Sequence, residues 1–272
     1  MSESASAPAP VEGLLELLGG RALKTAETMG QFTMLVRSTA FWLVRSPIEW
    51  RQTVTQMLQI GVQSAPVSIL TSLFTGMVLA LETGSSFINL FNEPVFTGTI
   101  VSFAICKELG PVMTAVVVSG RAGAAIAAEL GTMKVTEQID ALYTLGTDPV
   151  RYLVIPRVIA FLMVLPILTI FSDFAGVFGG GLVGYLKLGI PPNVYWHEVF
   201  DHLDTEQFFH GLVKTFFFAF AISFISCFKG IFTRGGAEGV GRATTEAVVY
   251  SMVSVLVMDY FITAILVAIG IT

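Results

Sequence analysis

The sequence predicts an all-α integral membrane protein, in which helices at the membrane surface precede five transmembrane helices. Hydrophobic residues make up 54% of the 272 residues and charged residues only 13%, whereas charged residues form about 25% of an ordinary soluble domain. Apolar stretches long enough to cross a hydrocarbon core about 30 Å thick recur five times along the chain. Basic residues cluster in alternate connections between these stretches, as expected for a multi-pass protein.

The N-terminal part reads as two segments. Residues 1–13 are rich in Ser, Ala and Pro and lack the basic start and short apolar core of a secretory signal, which predicts a disordered tail. Residues 14–60 mix Leu, Phe and Trp with five basic side chains, too charged to span a membrane and too apolar to be fully solvated. We expect amphipathic helices in the membrane interface there, with a small soluble subdomain as the alternative.

The remaining residues, 61–272, form the predicted five-helix domain. Its spans cover approximately residues 62–82, 97–120, 152–186, 208–230 and 245–270. The third span is long enough to tilt, to kink at Pro166 or to extend beyond the bilayer. Small residues recur every fourth position in two places: Gly120, Ala124 and Ala128, then Gly176, Gly180 and Gly184. We expect them to let helices of the same chain pack closely, with a dedicated dimer interface as the alternative.

The distribution of charge predicts the orientation. Basic residues occur before the first span, between spans two and three, and between spans four and five, and they include Lys134, Arg157 and Arg234. The intervening connections, 83–96 and 188–207, contain no Lys or Arg but several acidic residues: Glu93, Glu198, Asp201, Asp204 and Glu206. The positive-inside rule therefore predicts a cytoplasmic N-terminus and a last helix that ends on the outer side.

Several chemistries are disfavoured by the motifs. The sequence contains no Gly-x-x-x-x-Gly-Lys-Ser/Thr phosphate-binding loop, so any nucleotide is expected to be hydrolysed by another subunit. His197 and His202 are five residues apart and do not share a helical face, which argues against a metal site. Cys106 and Cys227 lie in apolar runs and are expected to be buried thiols. No nucleophile with a matching base supports an intramembrane enzyme.

The longest charged connection, 121–157, contains a predicted amphipathic helix. Gly146 and the pair Asp148-Pro149 end it. Its apolar side chains fall on one helical face: Val135, Ile139, Leu142 and Tyr143. Spacing alone leaves two interpretations open, an inert interfacial helix and a docking element.

Ionisable residues inside the spans are candidates for function. Lys107 and Glu108 precede the helix-distorting Gly110-Pro111, and Lys214 lies in the fourth span. The structural alternative is an internal Lys–Glu ion pair, and Asp173 and Asp259 are candidates for polar contacts between helices. A self-sufficient ion-coupled secondary transporter, with Lys107, Glu108 and Asp259 as a relay, is the competing functional class, although no inverted repeat is evident.

Three runs in the sequence carry a resemblance to a known family. They are "KELGPVMTAVVVSGRAGAAIAAELGTMKVTEQIDAL", "GTDPVRYLVIPRVIA" and "GRATTEAVVYSMVSVLVMDYFITAIL". The chain resembles the MlaE family of permeases over about residues 21–270, most specifically over 108–157. That family serves ABC transporters that work with mammalian-cell-entry (MCE) domain proteins. Glu246, beside "GRATT", departs from the pattern because some relatives carry a basic residue there.

The resemblance implies a function and a set of partners. It implies a homodimeric permease in the bacterial inner membrane, with two ATPase subunits that bind ATP and Mg²⁺, so that this chain itself needs no cofactor. A hexameric MCE-domain protein on the periplasmic side and a STAS-domain subunit are further implied partners. The implied substrate is phospholipid, moved between the inner membrane and the MCE-domain protein in support of outer-membrane lipid asymmetry.

The resemblance also implies roles for particular residues. The segment at about 129–142 matches the coupling helix that contacts the ATPase, and the candidate contact residues are Glu129, Met133, Lys134, Glu137, Ile139, Asp140 and Leu142. Polar contacts are expected from Glu137 and Asp140, and the buried side from Ile139 and Leu142. The candidates for the lipid path are Met77, Leu81, Glu82, Lys107, Glu108 and Lys214.

Overall fold

The computed structural model describes residues 10–45, 47–91, 96–203 and 205–270, and all regular secondary structure in these ranges is helical. The α-helices are α1 (Pro10–Arg45), α2 (Trp50–Phe91), α3 (Thr97–Ala104), α4 (Gly110–Val118), α5 (Ala124–Val135), α6 (Gln138–Thr144), α7 (Ile155–Leu188), α8 (Pro192–His202), α9 (Thr205–Ile231) and α10 (Gly236–Ile269). Three π-helical turns, Ile105–Leu109, Ser119–Gly123 and Val150–Val154, join α3 to α4, join α4 to α5 and lead into α7.

In the ranges that the structure describes, five helical stretches are long and apolar enough to cross a membrane, which confirms the predicted number of spans. They are Trp50–Asn89, Thr97–Val135, Val150–Leu188, Glu206–Ile231 and Gly236–Ile269. The first three have 39 or 40 residues each, which corresponds to about 60 Å of helix, twice the hydrocarbon thickness. The helices therefore continue beyond the predicted apolar segments. We call the two ends of the bundle the α6 end and the α8 end, after the short helix at each.

The N-terminal boundaries differ from the prediction. Helix α1 begins at Pro10, inside the predicted tail, because Pro is well suited to the first turn of a helix. Residues 1–9 of that tail lie outside the described residues. Helix α2 runs without a break from Trp50 to Phe91, so it joins the predicted interfacial segment to the first span and takes up most of the predicted connection 83–96. Glu93 and Asp204 lie outside the described residues.

Helices α2 and α7 form the most extensive pair in the fold. Their backbones approach so closely that a Cβ atom on Gly76 would lie 1.9 Å from the carbonyl oxygen of Gly176. A Cβ atom on Gly179 would lie 2.4 Å from the carbonyl oxygen of Leu73. The prediction that the glycines of the third span serve packing within one chain is confirmed, because small residues allow such contact between helices in lipid.

Helix α8 packs at one end of the bundle through a buried tyrosine and a carboxylate. Tyr195 is 1% exposed, and its ring lies against Gly180 and Gly181 of α7. Its hydroxyl donates a hydrogen bond of 2.9 Å to the carbonyl of Val177, and burial raises the pKa of this phenol. The carboxylate of Glu198 accepts a hydrogen bond of 2.9 Å from the backbone N–H of Gly98. Helix α8 is thereby tied to both α7 and α3.

The main hydrophobic core lies between α4, α5, α7 and α9, with contributions from α1, α2, α6 and α10. Its fully buried side chains include Leu130, Phe161, Leu165, Phe218 and Ile222. The expectation of buried thiols is confirmed, since Cys106 and Cys227 are both buried and free. Helix α1 packs on the outside of this core through two of its own aromatic side chains. The ring of Phe32 packs edge-on to that of Phe228, and Nε1 of Trp42 donates a hydrogen bond of 2.9 Å to Asp148 Oδ2.

We predict that Gly76→Ala lowers the free energy of unfolding by about 1–3 kcal/mol, because the added methyl group meets the backbone of α7 and no side-chain rotation relieves the clash. Gly30→Ala in α1 is the control, since no atom of the described residues lies within 4 Å of the place its methyl group would take. It should leave the stability unchanged or raise it by up to about 1 kcal/mol. Thermal unfolding of the detergent-solubilised protein measures both, and equal midpoints would contradict the packing argument.

Candidate functional site

A buried ion-pair cluster joins three helical elements inside the bundle. Lys214 of α9 has no exposed side-chain surface, and its Nζ lies 2.5 Å from Glu108 Oε2 and 3.0 Å from Asp259 Oδ1. Glu108 belongs to the π-helical turn Ile105–Leu109, and Asp259 belongs to α10. The hydroxyl of Thr263 donates a long hydrogen bond of 3.4 Å to Glu108 Oε1. One ammonium group therefore bridges two carboxylates from distant parts of the chain.

The local backbone explains how Lys214 reaches Glu108. A π-helical turn inserts one residue into a helix and changes the direction of the following side chains, and such turns are frequent at functional sites. Helix α9 approaches this turn at Gly211, where a Cβ atom would lie 2.0 Å from the carbonyl oxygen of Cys106. Lys214 lies about one helical turn beyond Gly211 on the same face. The glycine therefore brings the ammonium within reach of the carboxylate.

Two further basic groups border the cluster. Lys107 is 8% exposed, and its ammonium lies 4.7 Å from the centre of the Phe103 ring. His210 is 2% exposed, and neither ring nitrogen has a hydrogen-bond partner among the described residues. The internal Lys–Glu pair is thus formed by Lys214, not by the sequence neighbour Lys107. Asp259 does join helices, as expected for a polar contact.

The cluster opens toward the least covered side of the bundle. The side chains of Glu108 and Asp259 are 35% and 22% exposed. Within the described chain, only 6% of an apolar 18-residue stretch of α10 is buried, whereas 72% of the corresponding stretch in Val150–Leu188 is buried. The uncovered surface of α10 carries large apolar side chains: Val253, Leu256, Val257, Tyr260 and Phe261. A charged group thus lies beside a broad apolar face.

The candidates for the lipid path divide into two groups. Lys107, Glu108 and Lys214 come together in and around the cluster. Met77, Leu81 and Glu82 lie on α2, which packs chiefly against α7. Met77 points toward α7, since its Cγ would lie 3.3 Å from a Cβ atom on Gly179. Leu81 is 44% exposed, and Glu82 is also exposed.

The predicted coupling helix at about 129–142 is two helices. Helix α5 ends at Val135 and α6 begins at Gln138, and Glu137 between them has φ 61°. A left-handed backbone conformation is unfavourable for a residue with a side chain, and the break carries no Gly or Pro that would signal it in the sequence. The prediction of one continuous helix was therefore wrong, and α6 leaves α5 in a new direction.

The predicted apolar face of α6 is only partly buried. Ile139 is 2% exposed and Leu142 packs against the same core, as predicted, and Met133 of α5 also packs there. Tyr143 was predicted on the same face and lies one helical turn after Ile139, but it is 60% exposed. Leu145, just after the helix, is 78% exposed. Partial burial and the neighbouring carboxylate of Asp148 raise the pKa of Tyr143, so its hydroxyl remains a donor at neutral pH.

The polar candidates of this segment have different surroundings. Glu129 Oε1 lies 2.9 Å from the NH2 nitrogen of Arg157, whose side chain is 4% exposed. Asp140 pairs with Lys134 at 2.9 Å. Glu137 is exposed at the break. The segment is therefore held to the bundle by the Glu129–Arg157 ion pair and by Ile139, while Glu137, Tyr143 and Leu145 are exposed.

Known proteins resemble the chain over most of its length. The family described as permease MlaE matches residues 53–265. The chain belongs to the MlaE permease family. A probable ABC transporter permease protein of Rickettsia felis is 44% identical over 246 residues, which cover 90% of this chain and 95% of the relative. The MlaE-family chain is accordingly a multi-pass permease, a transport subunit rather than a catalytic enzyme.

Two further relatives are also similar to this permease. A probable ABC transporter permease protein of Synechocystis is 40% identical over 220 residues, covering 81% of this chain and 83% of the relative. The protein TRIGALACTOSYLDIACYLGLYCEROL 1, chloroplastic, of Arabidopsis thaliana is 39% identical over 223 residues, covering 82% of this chain and 63% of the relative.

We predict that Lys214→Ala lowers the free energy of unfolding of the permease by about 3–5 kcal/mol, because two carboxylates lose the ammonium between them. Asp259→Asn should have a smaller effect, since the Lys214–Glu108 pair remains. Lys187→Ala, at an exposed position at the end of α7, is the control. Thermal unfolding in detergent compares the three variants, and a Lys214→Ala variant as stable as Lys187→Ala would contradict the assigned role of the cluster.

Proposed function

We propose that the permease is the membrane-spanning subunit of an ATP-driven phospholipid transporter, and that α6 transmits the work of a separate ATPase. The observation that carries this proposal is the geometry of α6. Ile139 anchors the helix in the core while Tyr143 and Leu145 project outward. An exposed aromatic side chain beside an exposed leucine, on a rigidly held helix, is suited to a groove in a partner protein.

The dependence on an ATPase is supported by the sequence and by the relatives. The chain contains no phosphate-binding loop of the Gly-x-x-x-x-Gly-Lys-Ser/Thr type, and several relatives are named as ABC transporter permeases. ATP and Mg²⁺ would be bound by two copies of the partner ATPase. Closure of these copies would move the α6 helices of two permeases and shift the bundle between two packed states.

A second copy of the permease would cover the exposed face of α10. A large exposed apolar surface beside a partly exposed charged cluster is unusual for a membrane domain that contacts only acyl chains. Two-fold pairing along this side would enclose a cavity with a Glu108–Lys214–Asp259 cluster on each wall. Such a cavity would offer charged groups to a phospholipid headgroup and apolar surface to its chains. The name of the Arabidopsis relative, which contains that of a glycerolipid, supports a lipid substrate.

The proposed orientation places α6 in the cytoplasm and α8 in the periplasm of a bacterial inner membrane. Basic side chains concentrate at the α6 end, where Lys134, Arg151, Arg234 and Arg242 lie, in accord with the positive-inside rule. An MCE-domain ring would then receive lipid at the α8 end, and a STAS-domain subunit would act on the cytoplasmic side. Transport between the inner membrane and that ring would support the lipid asymmetry of the outer membrane.

The coupling role is tested by copurification. Glu137→Arg and Tyr143→Ala should each reduce recovery of the ATPase with the permease about tenfold or more, because each alters a side chain in the proposed interface. Tyr185→Ala on α7 removes a tyrosine of similar exposure, 57%, and should leave recovery unchanged. Mass spectrometry of the purified native complex counts the subunits. Full recovery of the ATPase with both α6 variants would contradict the proposal.

The transport role is tested by obstructing the proposed path. Leu81→Trp enlarges an exposed side chain of α2 that the family resemblance assigns to the lipid path. It should reduce lipid loading severalfold without loss of assembly, as measured by mass spectrometry of copurified phospholipid. Leu186→Trp on α7, at 65% exposure, is the control. Transport is also measured in vesicles that contain the permease without the ATPase, because an ion-coupled secondary transporter would be active there. Proton- or sodium-driven transport in those vesicles would identify a secondary transporter instead.

A further inference from the structure

A second charged site lies at the α6 end, apart from the ion-pair cluster. A cavity of about 390 Å³ opens between α1, the last turns of α9 and the first turns of α10. Its volume is within the range of small-molecule sites, about 300–1,000 Å³. Four basic side chains line it, Lys24, Lys229, Arg234 and Arg242, together with the acidic Glu27 and Glu246. The lining therefore carries a formal net charge of +2, four positive charges less two negative ones.

The pairing of these charges leaves most of the cations free. Lys229 Nζ lies 2.7 Å from Glu246 Oε2 and 4.2 Å from the centre of the Tyr250 ring, so this pair is satisfied. Glu27 Oε1 accepts a hydrogen bond of 3.1 Å from Gln31. The other three basic side chains have no ion-pair partner in the part of the chain that the structure describes: Lys24, Arg234 and Arg242.

The same cavity has an apolar wall. Phe228 and Phe232 line it with their rings 4.8 Å apart. Phe228 is 6% exposed and belongs to the main core, whereas Phe232 is 39% exposed. Free cations and an aromatic wall in one cavity match a ligand that is anionic at one end and apolar at the other. A small hydrophilic anion would leave the wall unused.

We propose that this cavity binds the headgroup of an acidic glycerophospholipid from the cytoplasmic leaflet. The phosphate would lie among Lys24, Arg234 and Arg242, and the glycerol and upper acyl carbons would lie along Phe228 and Phe232. Basic side chains near a membrane surface attract lipids with a net negative charge, which favours phosphatidylglycerol over the zwitterionic phosphatidylcholine. The leaflet assignment rests on the proposed function, which places the α6 end in the cytoplasm.

The site is adjacent to the coupling element, which distinguishes it from the transport path. Phe232, Thr233 and Arg234, in the turn between α9 and α10, line this cavity and also a neighbouring cavity of about 310 Å³. That second cavity is lined by Ile139 and Tyr143 of α6. A lipid held at the first cavity thus contacts the turn that faces α6 across the second cavity. The proposed lipid site therefore lies beside the proposed coupling helix and is separate from the Glu108–Lys214–Asp259 cluster.

Native mass spectrometry of the purified, delipidated permease in detergent tests the assignment, because lipid retention requires neither ATP nor transport. Phosphatidylglycerol is titrated against the native protein and the Lys24→Gln/Arg242→Gln variant, in which two exposed cations are replaced. Affinity should fall about fivefold for each cation removed. Arg37→Gln, an exposed cation on α1 outside the cavity, should bind like the native protein, and thermal unfolding should show all variants folded.

Two comparison ligands complete the test. Phosphatidylcholine should bind several-fold more weakly than phosphatidylglycerol, and inorganic phosphate should not displace the lipid. Equal binding of the two lipids, displacement by inorganic phosphate, or an equal loss of affinity in Arg37→Gln would overturn the proposal. Exclusion of phosphatidylglycerol from the assembled complex with its ATPase would overturn it as well, since a protein partner would then occupy the cavity. Failure of transport alone would leave the binding result intact.

Discussion

The fold depends on satisfying charged groups that cannot reach water. Lys214 has no exposed surface, and an isolated ammonium in hydrocarbon is highly unfavourable. Glu108 and Asp259 supply the opposite charges from two other helical elements. The position of α9 between the Ile105–Leu109 turn and α10 is therefore fixed by electrostatics as well as by packing. In lipid, where no hydrophobic force drives one helix onto another, such a polar contact specifies which helices are neighbours.

The same requirement explains why the charged side chains beside α10 are partly exposed. Two carboxylates around one ammonium leave the cluster with excess negative charge, and the partly exposed side chains of Glu108 and Asp259 carry it. Lys107, close to the cluster, contributes a compensating positive charge over the Phe103 ring. The permease thus places an almost balanced set of charges beside an apolar surface. A substrate with both ionic and apolar parts finds complementary groups at one location.

The spans and the buried side of α6 could be predicted from the sequence, because hydropathy and helical spacing are local properties. The five stretches and the burial of Ile139 follow from such patterns. The partner of Glu108 could not be predicted locally, since Lys214 is 106 positions away. The exposure of Tyr143 was missed because helical spacing gives the face of a side chain but not whether another element covers it. The break between α5 and α6 was missed because Glu137 adopts a left-handed conformation without the usual glycine. Helical spacing cannot be counted across a point where tertiary contacts change the direction of the backbone.

The glycine contact between α2 and α7 has a mechanical consequence. With the backbones of Gly76 and Gly176 in contact, the two helices pack at close range, so we expect a movement of one to be accompanied by the other. Helix α7 has 34 residues, or about 51 Å of length, and follows α6 through the Val150–Val154 turn. A tilt of α7 at its α6 end would accordingly be felt at its other end, where Tyr195 packs against Gly180 and Gly181. The helix pair thus links the two ends of the bundle.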